Sequence, residues 1–501
     1  MIIQEEVLAA EILSSEQPSL KLGGAIYRET RNMTKSTLAS AIVLLCFCAP
    51  IIWAQDEPDD QGDQNLGVTV QLPTLGVSID TNGILTTQLM TDPGGKQIRD
   101  RLLNLKRQLP QDLQRRSQCR KISLKKLQAA IASNPLHIQT DESNTIHALA
   151  GLTRIEYVFV LPDLNDIVIA GPAEPWIKNL AGRRVGIFTA RPTLNLEDLA
   201  VAIRSFSPTA KPNQWIACSI DPTAKGIQQL NQFNRNLPNQ IPINLQAQAA
   251  DHFRQQMRDA LGLAEVKVYG IHPKTHAAHV LIEADYRMKL LAVGLEDPIL
   301  NQLTTFIQAL SGAPKDLQRW WLTPNYQCLQ QTQDNLSVQF VGRGVRLQTE
   351  NILLTQNANI QRKKTKPSRA ARTYASSFTK NYEALSKVKP VFSQLRNVID
   401  CLIAAAWIQK QDGWKKADLD PTIYVDESKI KTQTKPNVSK AKCVANAVWK
   451  NNVLLLPAGG GVSIAPAEAL KSENLLKDKS KPLDDFAKKI QINHNDNWWW
   501  D

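Results

Sequence analysis

The sequence predicts an α+β fold: a mixed β-sheet with hairpins and packed helices, followed by a C-terminal helical hairpin. Three observations carry this. Strand-like and helix-like stretches alternate through the middle of the chain, hairpin turns are interspersed among them, and apolar residues at 391, 395, 398, 399, 402, 403 and 406 form a wide buried helical stripe. Strict alternation without hairpins would have pointed to a doubly wound parallel sheet instead.

Taken in order, residues 68–90 alternate like strands around Asp80-Thr81-Asn82-Gly83, whose Asn-Gly pair favours a tight hairpin. Residues 97–109 read as a helix with Ile98, Leu102, Leu103 and Leu105 or Leu109 on one side, and Ser123 caps a second helix through Leu124, Leu127, Ala130 and Ile131. RIEYVFV (154–160) and residues 166–170 make a hairpin across Pro162 to Asn165, and 184–189 reads as a further strand. Asn195 caps a helix over 196–205, with Asp198 placed to close a capping box. Residues 215–220 are a strand, after which Asp221-Pro222 opens a helix. Residues 249–261 are helical by the spacing of Phe253, Met257 and Leu261, while 266–271 and 280–284 read as strands. Asp297 with Pro298 is expected to start a helix to 310. Residues 336–340 and 345–348 read as a hairpin around Gly342-Arg343-Gly344. The helical hairpin spans 378–388 and 391–408, broken at Pro390, and 453–456 and 462–464 flank a triple-glycine turn.

Residues 33–54, MTKSTLASAIVLLCFCAPIIWA, have the layout of a secretory signal: one lysine, an apolar run and a small residue before an acidic stretch. The run falls short of the roughly 20 residues that span a bilayer, so cleavage near Ala54 and export, periplasmic or secreted, are expected. Residues 1–32 have no such character and read as a start assigned too early. If they are translated, residues 39–54 become a membrane anchor with a short cytoplasmic tail. The remaining organisation reads as an acidic spacer (55–67), an α+β core (68–355), a basic linker (356–372), a helical hairpin with a small β region (373–465) and a mobile polar tail (466–501). The net charge of +12 concentrates in 361–372 and 429–442, which are poor in apolar residues. Basic residues interleaved with aromatics are missing there, so nucleic acid is not an expected partner. Weak contact with anionic envelope polymers or a membrane surface stays open. Beyond the signal segment the cysteines are Cys119, Cys218, Cys328, Cys401 and Cys443, an odd and scattered set without a CxxC pair, which suits buried free thiols.

No sequence signature of catalysis stands out. His272, His276 and His279 cluster ahead of Glu283 and Asp285, but on a strand His276 faces away from His279, Glu283 and Asp285, so no metal or other cofactor is expected. A polar pocket is the candidate site: Glu174 and Trp176 of GPAEPW with Glu283, Asp285 and Arg287. The alternative expectation is a polar sheet face on which Arg287 and Lys289 neutralise those carboxylates. Cys218, at the end of a strand before a helix, lacks an assured base. The triple glycine at 459–461 lacks the GK[ST] of a phosphate loop, no GxSxG occurs, and Trp498-Trp499-Trp500 is either a docking element or an unselected end.

Several stretches together resemble one family, a bacterial exported-protein family filed as domain of unknown function 1598. They are GVSIDTNGIL (76–85), LAGLTRIEYVFVLPDLNDIVIAGPAEPW (149–176), CSIDPTAKGI (218–227), VLIEADYRMKLLAVGLE (280–296) and RWWLTPNYQC (319–328). The likeness runs from about Val68 to about Gln409. It implies that the GPAEPW hairpin and the EADYRMK segment share a domain, and it supplies no catalytic residues. The function expected from the sequence is therefore a non-enzymatic binding or structural protein of the cell envelope, with a hydrolase built on the polar pocket as the alternative.

Overall fold

The computed structural model describes residues 74–134, 136–138, 140–210, 214–237, 242–312, 317–354, 360–361, 367–450, 452–477, 482–489 and 499–500. The signal-like segment and everything before residue 74 lie outside the described residues.

β1 (Thr74–Ile79) and β2 (Ile84–Met90) form the first expected hairpin. Gly83 takes φ +73°, and Asp80 Oδ1 accepts hydrogen bonds from the amides of Asn82 and Ile84, both at 2.9 Å. After α1 (Lys96–Gln108) and β3 (Ser117–Ser123), Ser123 caps α2 (Leu124–Ser133) by accepting from Lys126 N at 3.0 Å. α3 (Asp141–His147) leads to β4 (Tyr157–Leu161) and β5 (Asp166–Ala173), the second expected hairpin, and then to a two-stranded ribbon of β6 (Trp176–Lys178) and β7 (Arg184–Gly186). α4 (Leu196–Ser205), β8 (Ile216–Asp221), α5 (Ala224–Arg235), α6 (Gln246–Leu261) and β9 (Leu263–Tyr269) follow close to expectation, except that Asn195, at the N-cap of α4, makes no side-chain capping hydrogen bond and no capping box, and Thr223 rather than Asp221 caps α5. Next come α7 (His276–Ala292), α8 (Phe306–Ala309), β10 (Leu317–Pro324), β11 (Leu329–Gln331), β12 (Ser337–Phe340), β13 (Val345–Leu354) and β14 (Ile360–Gln361). The chain ends with α9 (Arg369–Lys380), α10 (Tyr382–Val388), α11 (Pro390–Lys410), α12 (Gly413–Lys416), α13 (Thr422–Val425), β15 (Lys440–Lys442), β16 (Ala445–Lys450), β17 (Asn452–Ile464), α14 (Pro466–Ala469), β18 (Leu475–Lys477) and α15 (Pro482–Lys489).

The architecture is α+β with mixed sheets. A large sheet runs β1-β2-β15-β9-β8-β17-β10-β13-β14, with β16 on the first half of β17, and a second sheet runs β18-β11-β12-β4-β5-β3. Most neighbours are antiparallel, but β10 is parallel to β17, β15 to β2 and β18 to β11. Strands from both sides of the basic segment 356–372 thus interleave in the large sheet. α7 packs on β8, β10 and β17 with one side and on α4 and α11 with the other. α11 is long and apolar enough to cross a membrane by length and composition, yet 94% of that window is buried inside the fold, which makes it the central core helix.

Several expectations need correction. The strand read at 280–284 is part of α7, whose turns are buried on every side, so the apolar periodicity that marks a helix is lost. The helix expected from Pro298 does not form: Ile299 takes φ +61°, and the four-residue α8 starts later under a Thr305–Gln308 capping box. β12 and β13 are not a hairpin, because β12 pairs with β4 and β11 while β13 pairs with β10. The triple glycine is no turn either: β17 passes straight through it, pairing with β16 first and then lying between β8 and β10. In the expected helical hairpin, three helices occur, and α11 packs on α4 and α7 as well as on α10. Beyond Pro466, α15 buries Leu483, while Trp499 and Trp500 are buried, with Ser123 N donating to Trp499 O at 3.0 Å.

Candidate functional site

The residues singled out in the sequence land in three places. Glu174 is buried at 2% exposure, and its carboxylate accepts from the amides of Phe188 (3.0 Å) and Thr189 (3.2 Å) and from the Thr189 hydroxyl. It latches the turn after β7, and a Cβ on Gly186 would meet its side chain at 2.2 Å. Trp176, also buried, packs its ring against Gly151.

Because Glu283, Asp285 and Arg287 are on a helix, residues two apart point about 200° from one another. Glu283 and Arg287 therefore come together, at 3.6 Å, while Asp285 points elsewhere. Arg183 binds both Glu283 oxygens and donates its Nε to Gln394 Oε1 at 2.7 Å. Arg287 grips Glu296 with two hydrogen bonds of 3.1 and 2.5 Å, and Lys389 reaches the same carboxylate at 2.6 Å. This buried ionic chain ties α7 to the ribbon and to the start of α11. On the other side, Asp285 pairs with Lys289 at 2.6 Å, and Lys289 also donates to Ile220 O at 2.6 Å. Arg287 and Lys289 neutralise the carboxylates as the alternative expectation had it, but inside the fold rather than on an open face.

The three clustered histidines diverge. His276 Nδ1 sits 2.8 Å from Asp198 Oδ2, His279 Nε2 lies 2.8 Å from Pro436 O, and His272 Nδ1 accepts from Lys274 N at 3.3 Å. Among the described residues no group of three His, Cys, Asp or Glu is placed to hold a metal ion. The five cysteines are unbridged, four of them buried. Burial, with the Asp285 carboxylate adding to it, pushes the Cys218 thiol well above its ordinary value, which disfavours a thiolate there.

An open groove of about 730 Å³ lies along α9, a stretch the sequence divides between the basic linker and the helical hairpin region. Ser368 caps α9, its Oγ accepting from Ala371 N at 3.1 Å. Ala371, Tyr374, Ala375 and Phe378 then face the core, which turns Arg369, Arg372, Thr373, Ser376 and Lys380 into one outward stripe at helical spacing. The opposite wall is Gln302 and Thr304. Ser377 Oγ accepts from Thr304 N at 2.8 Å, and Asn381 Nδ2 donates to Gln302 O at 3.3 Å, so the wall is fixed to α9.

Three cations and several neutral hydroxyl and amide groups line this groove, and among the described residues no carboxylate does. The first turn of α9 has no acidic residue, so Arg369 and Arg372 stand at the positive end of the helix dipole without local compensation. The stripe from 369 to 380 is about 16 Å long at 1.5 Å per residue. Such a surface attracts anions and has no group suited to proton transfer near neutral pH. Arg369 and Arg372 were visible in the sequence as charge; the opposing wall, some 70 positions earlier, was not.

Residues 218–306 match a family model described as protein of unknown function (DUF1598). That span runs from β8 through α7 to the start of α8, and it includes Glu283, Asp285 and Arg287 but neither α9 nor Glu174. No curated protein and no solved structure matches the chain.

Proposed function

We propose that this protein is a non-enzymatic binding protein of the cell envelope, and that the α9 groove takes up linear polyanions there. The observation that carries the reading is the uncompensated stripe of Arg369, Arg372 and Lys380 along an open groove. Guanidinium groups suit carboxylate and phosphate oxygens, and the adjacent Thr373 and Ser376 hydroxyls can donate to the same ligand. An extended chain fits better than a compact anion because the cations are strung out along the helix. The five residues behind the hydrolase alternative are buried: Glu174 holds a turn, Trp176 packs against Gly151, and Glu283, Asp285 and Arg287 are engaged in ion pairs.

Binding is tested with fluorescently labelled inorganic polyphosphate across a salt gradient, on the full chain and on an Arg369→Gln, Arg372→Gln, Lys380→Gln triple variant. The expected result is affinity that falls steeply with salt and a loss of at least about tenfold in the variant, or about 1.4 kcal/mol. These side chains line an open groove, so melting should be unchanged. Salt-independent binding, or equal affinity in the variant, removes the proposal.

Export rests on residues 33–54. Cell fractionation with N-terminal sequencing is expected to find the mature chain outside the cytoplasm, beginning just after Ala54. A chain that retains residues 1–32 and pellets with membranes would establish an anchor instead.

A further inference from the structure

The large sheet has two unlike faces. In register, Trp320, Gly460, Val462, Cys218 and Val268 share the face that packs on α7. The opposite face carries Trp321, Gly461, Ser219 and Lys267 in one row, with Ser463, Ala217 and Tyr269 in the next. Lys267, Tyr269, Lys440 and Lys442 on that second face are exposed.

Aromatic rings lie along it. A Cβ on Gly461 would sit 2.7 Å from Trp321 Cζ3, so the glycine makes the room in which that indole lies across β17. Two residues on, Ser463 Oγ accepts from Trp215 Nε1 at 2.9 Å, and Trp215 stacks on Tyr269 with centroids 5.4 Å apart and planes 30° apart. Trp215 is 47% exposed and Tyr269 41%. The attachment points Gly461 and Ser463 are about 7 Å apart along the strand. The other indole N–H is also satisfied internally, Trp321 Nε1 donating to Glu350 Oε2 at 3.0 Å. Arg319 sits 4.8 Å from the Trp321 ring centre and grips Asp221 at 2.7 and 3.2 Å.

We propose that this face is a saccharide-binding platform, with Trp215, Tyr269 and Trp321 as its rings and Asp221, Arg319 and Glu350 as its polar rim, and that its ligand is a polysaccharide chain. Rings whose N–H groups are already paired offer apolar surface without polar demand. Their natural complement is a ligand with a C–H face and a hydroxyl edge, which is a pyranose. The Asp221 and Glu350 carboxylates, with side chains 28% and 36% exposed, stand ready to accept from hydroxyls. A protein partner fits worse: protein interfaces exclude charge from their centre, whereas Lys267 lies in the same row as Trp321 and the Asp221–Arg319 pair adjoins that ring.

The platform shares no residue with the α9 groove, so the two readings stand or fall separately. The test is a glycan array probed with the full chain, followed by affinity electrophoresis of Trp215→Ala and Tyr269→Ala in gels containing the polysaccharide retained. Both rings are exposed, so circular dichroism melts should match wild type. The expected result is retention of at least one polysaccharide and a loss of about tenfold or more in each variant. An array without binding, or variants retained like wild type, overturns the proposal. So does sedimentation in which the substitutions turn an oligomer into a monomer, since the face would then be a contact between copies of this chain.

Discussion

Gly460→Ala is expected to give no folded protein, whereas Gly459→Ala, one residue away, is expected to fold with a modest loss. β17 is an interior strand of the large sheet, held between β8 and β10. Gly460 takes φ +138°, and a Cβ there would lie 1.9 Å from the Trp320 carbonyl oxygen and 2.9 Å from Trp320 N. Those are backbone atoms of the neighbouring strand, so relief requires moving the β10–β17 pair apart, and Trp320 is fully buried between Phe306 and Tyr374 at centroid distances of 5.1 and 5.5 Å. Strained backbone and overpacking each cost on the order of 1–3 kcal/mol, and here they coincide with broken sheet pairing. That sum is comparable with the 5–15 kcal/mol that holds an ordinary domain together. At Gly459 the nearest atom to a new Cβ is Asp221 Oδ1 at 2.8 Å, the end of a side chain that can rotate, and φ is not in the left-handed region. Soluble yield and a denaturation midpoint for the two variants check the contrast; equal yields would show that β17 can shift.

What the sequence disclosed was local chemistry, and what it hid was burial on all sides. The Asn-Gly and Pro-containing turns fixed both long hairpins, and Ser123 marked the start of α2, because each of those signals acts within a few residues. α7 was missed for the opposite reason: surrounded by β8, β17, α4 and α11, it keeps no polar face, and its Val280-Leu281-Ile282 run passes for a buried strand. One signal remained legible, since Glu283 with Arg287 and Asp285 with Lys289 are both spaced i, i+4 and opposite in charge. The triple glycine was taken for a turn because glycine's need for room here comes from Trp320 and Cys218, far away in sequence. Gly342 and Gly344, both at positive φ, looked like a hairpin turn but carry the chain from the six-stranded sheet to the large one. The same limit applies to the groove, one side of which is contributed by Gln302 and Thr304.

Between pH 5 and 8 the Asp285 and Asp400 carboxyls are expected to pull the melting temperature down as the pH rises, against the opposite pull of His279, whose imidazole burial holds below its ordinary value, and Asp285→Asn is expected to make the pH dependence less negative. Burial outweighs the attraction of Lys289 and lifts the Asp285 carboxyl to about 7, with Asp221 adding to the rise; burial likewise lifts Asp400 to about 6 against the pull of Arg396 and Arg154. A carboxyl whose folded value lies above its unfolded one holds its proton more tightly in the folded state. Its contribution to stability is complete below the unfolded value near 4 and is lost as pH climbs through the folded value. Between pH 5 and 8 the unfolded chain has already released these protons while the folded chain still has to release them, so their share of the slope is negative. Glu197 acts in the other direction and at lower pH: burial raises it, but the hydrogen bond and charge of His147 prevail and hold it at about 2, so its contribution disappears only as pH falls below the ordinary carboxylate range. An asparagine at 285 still accepts from Lys289 but has no proton to lose, which removes its share of the slope. Melting curves of wild type and Asp285→Asn that stay parallel from pH 5 to 8 would show that Asp285 ionises as it does in water, and that the Asp285–Lys289 pair is fully charged throughout.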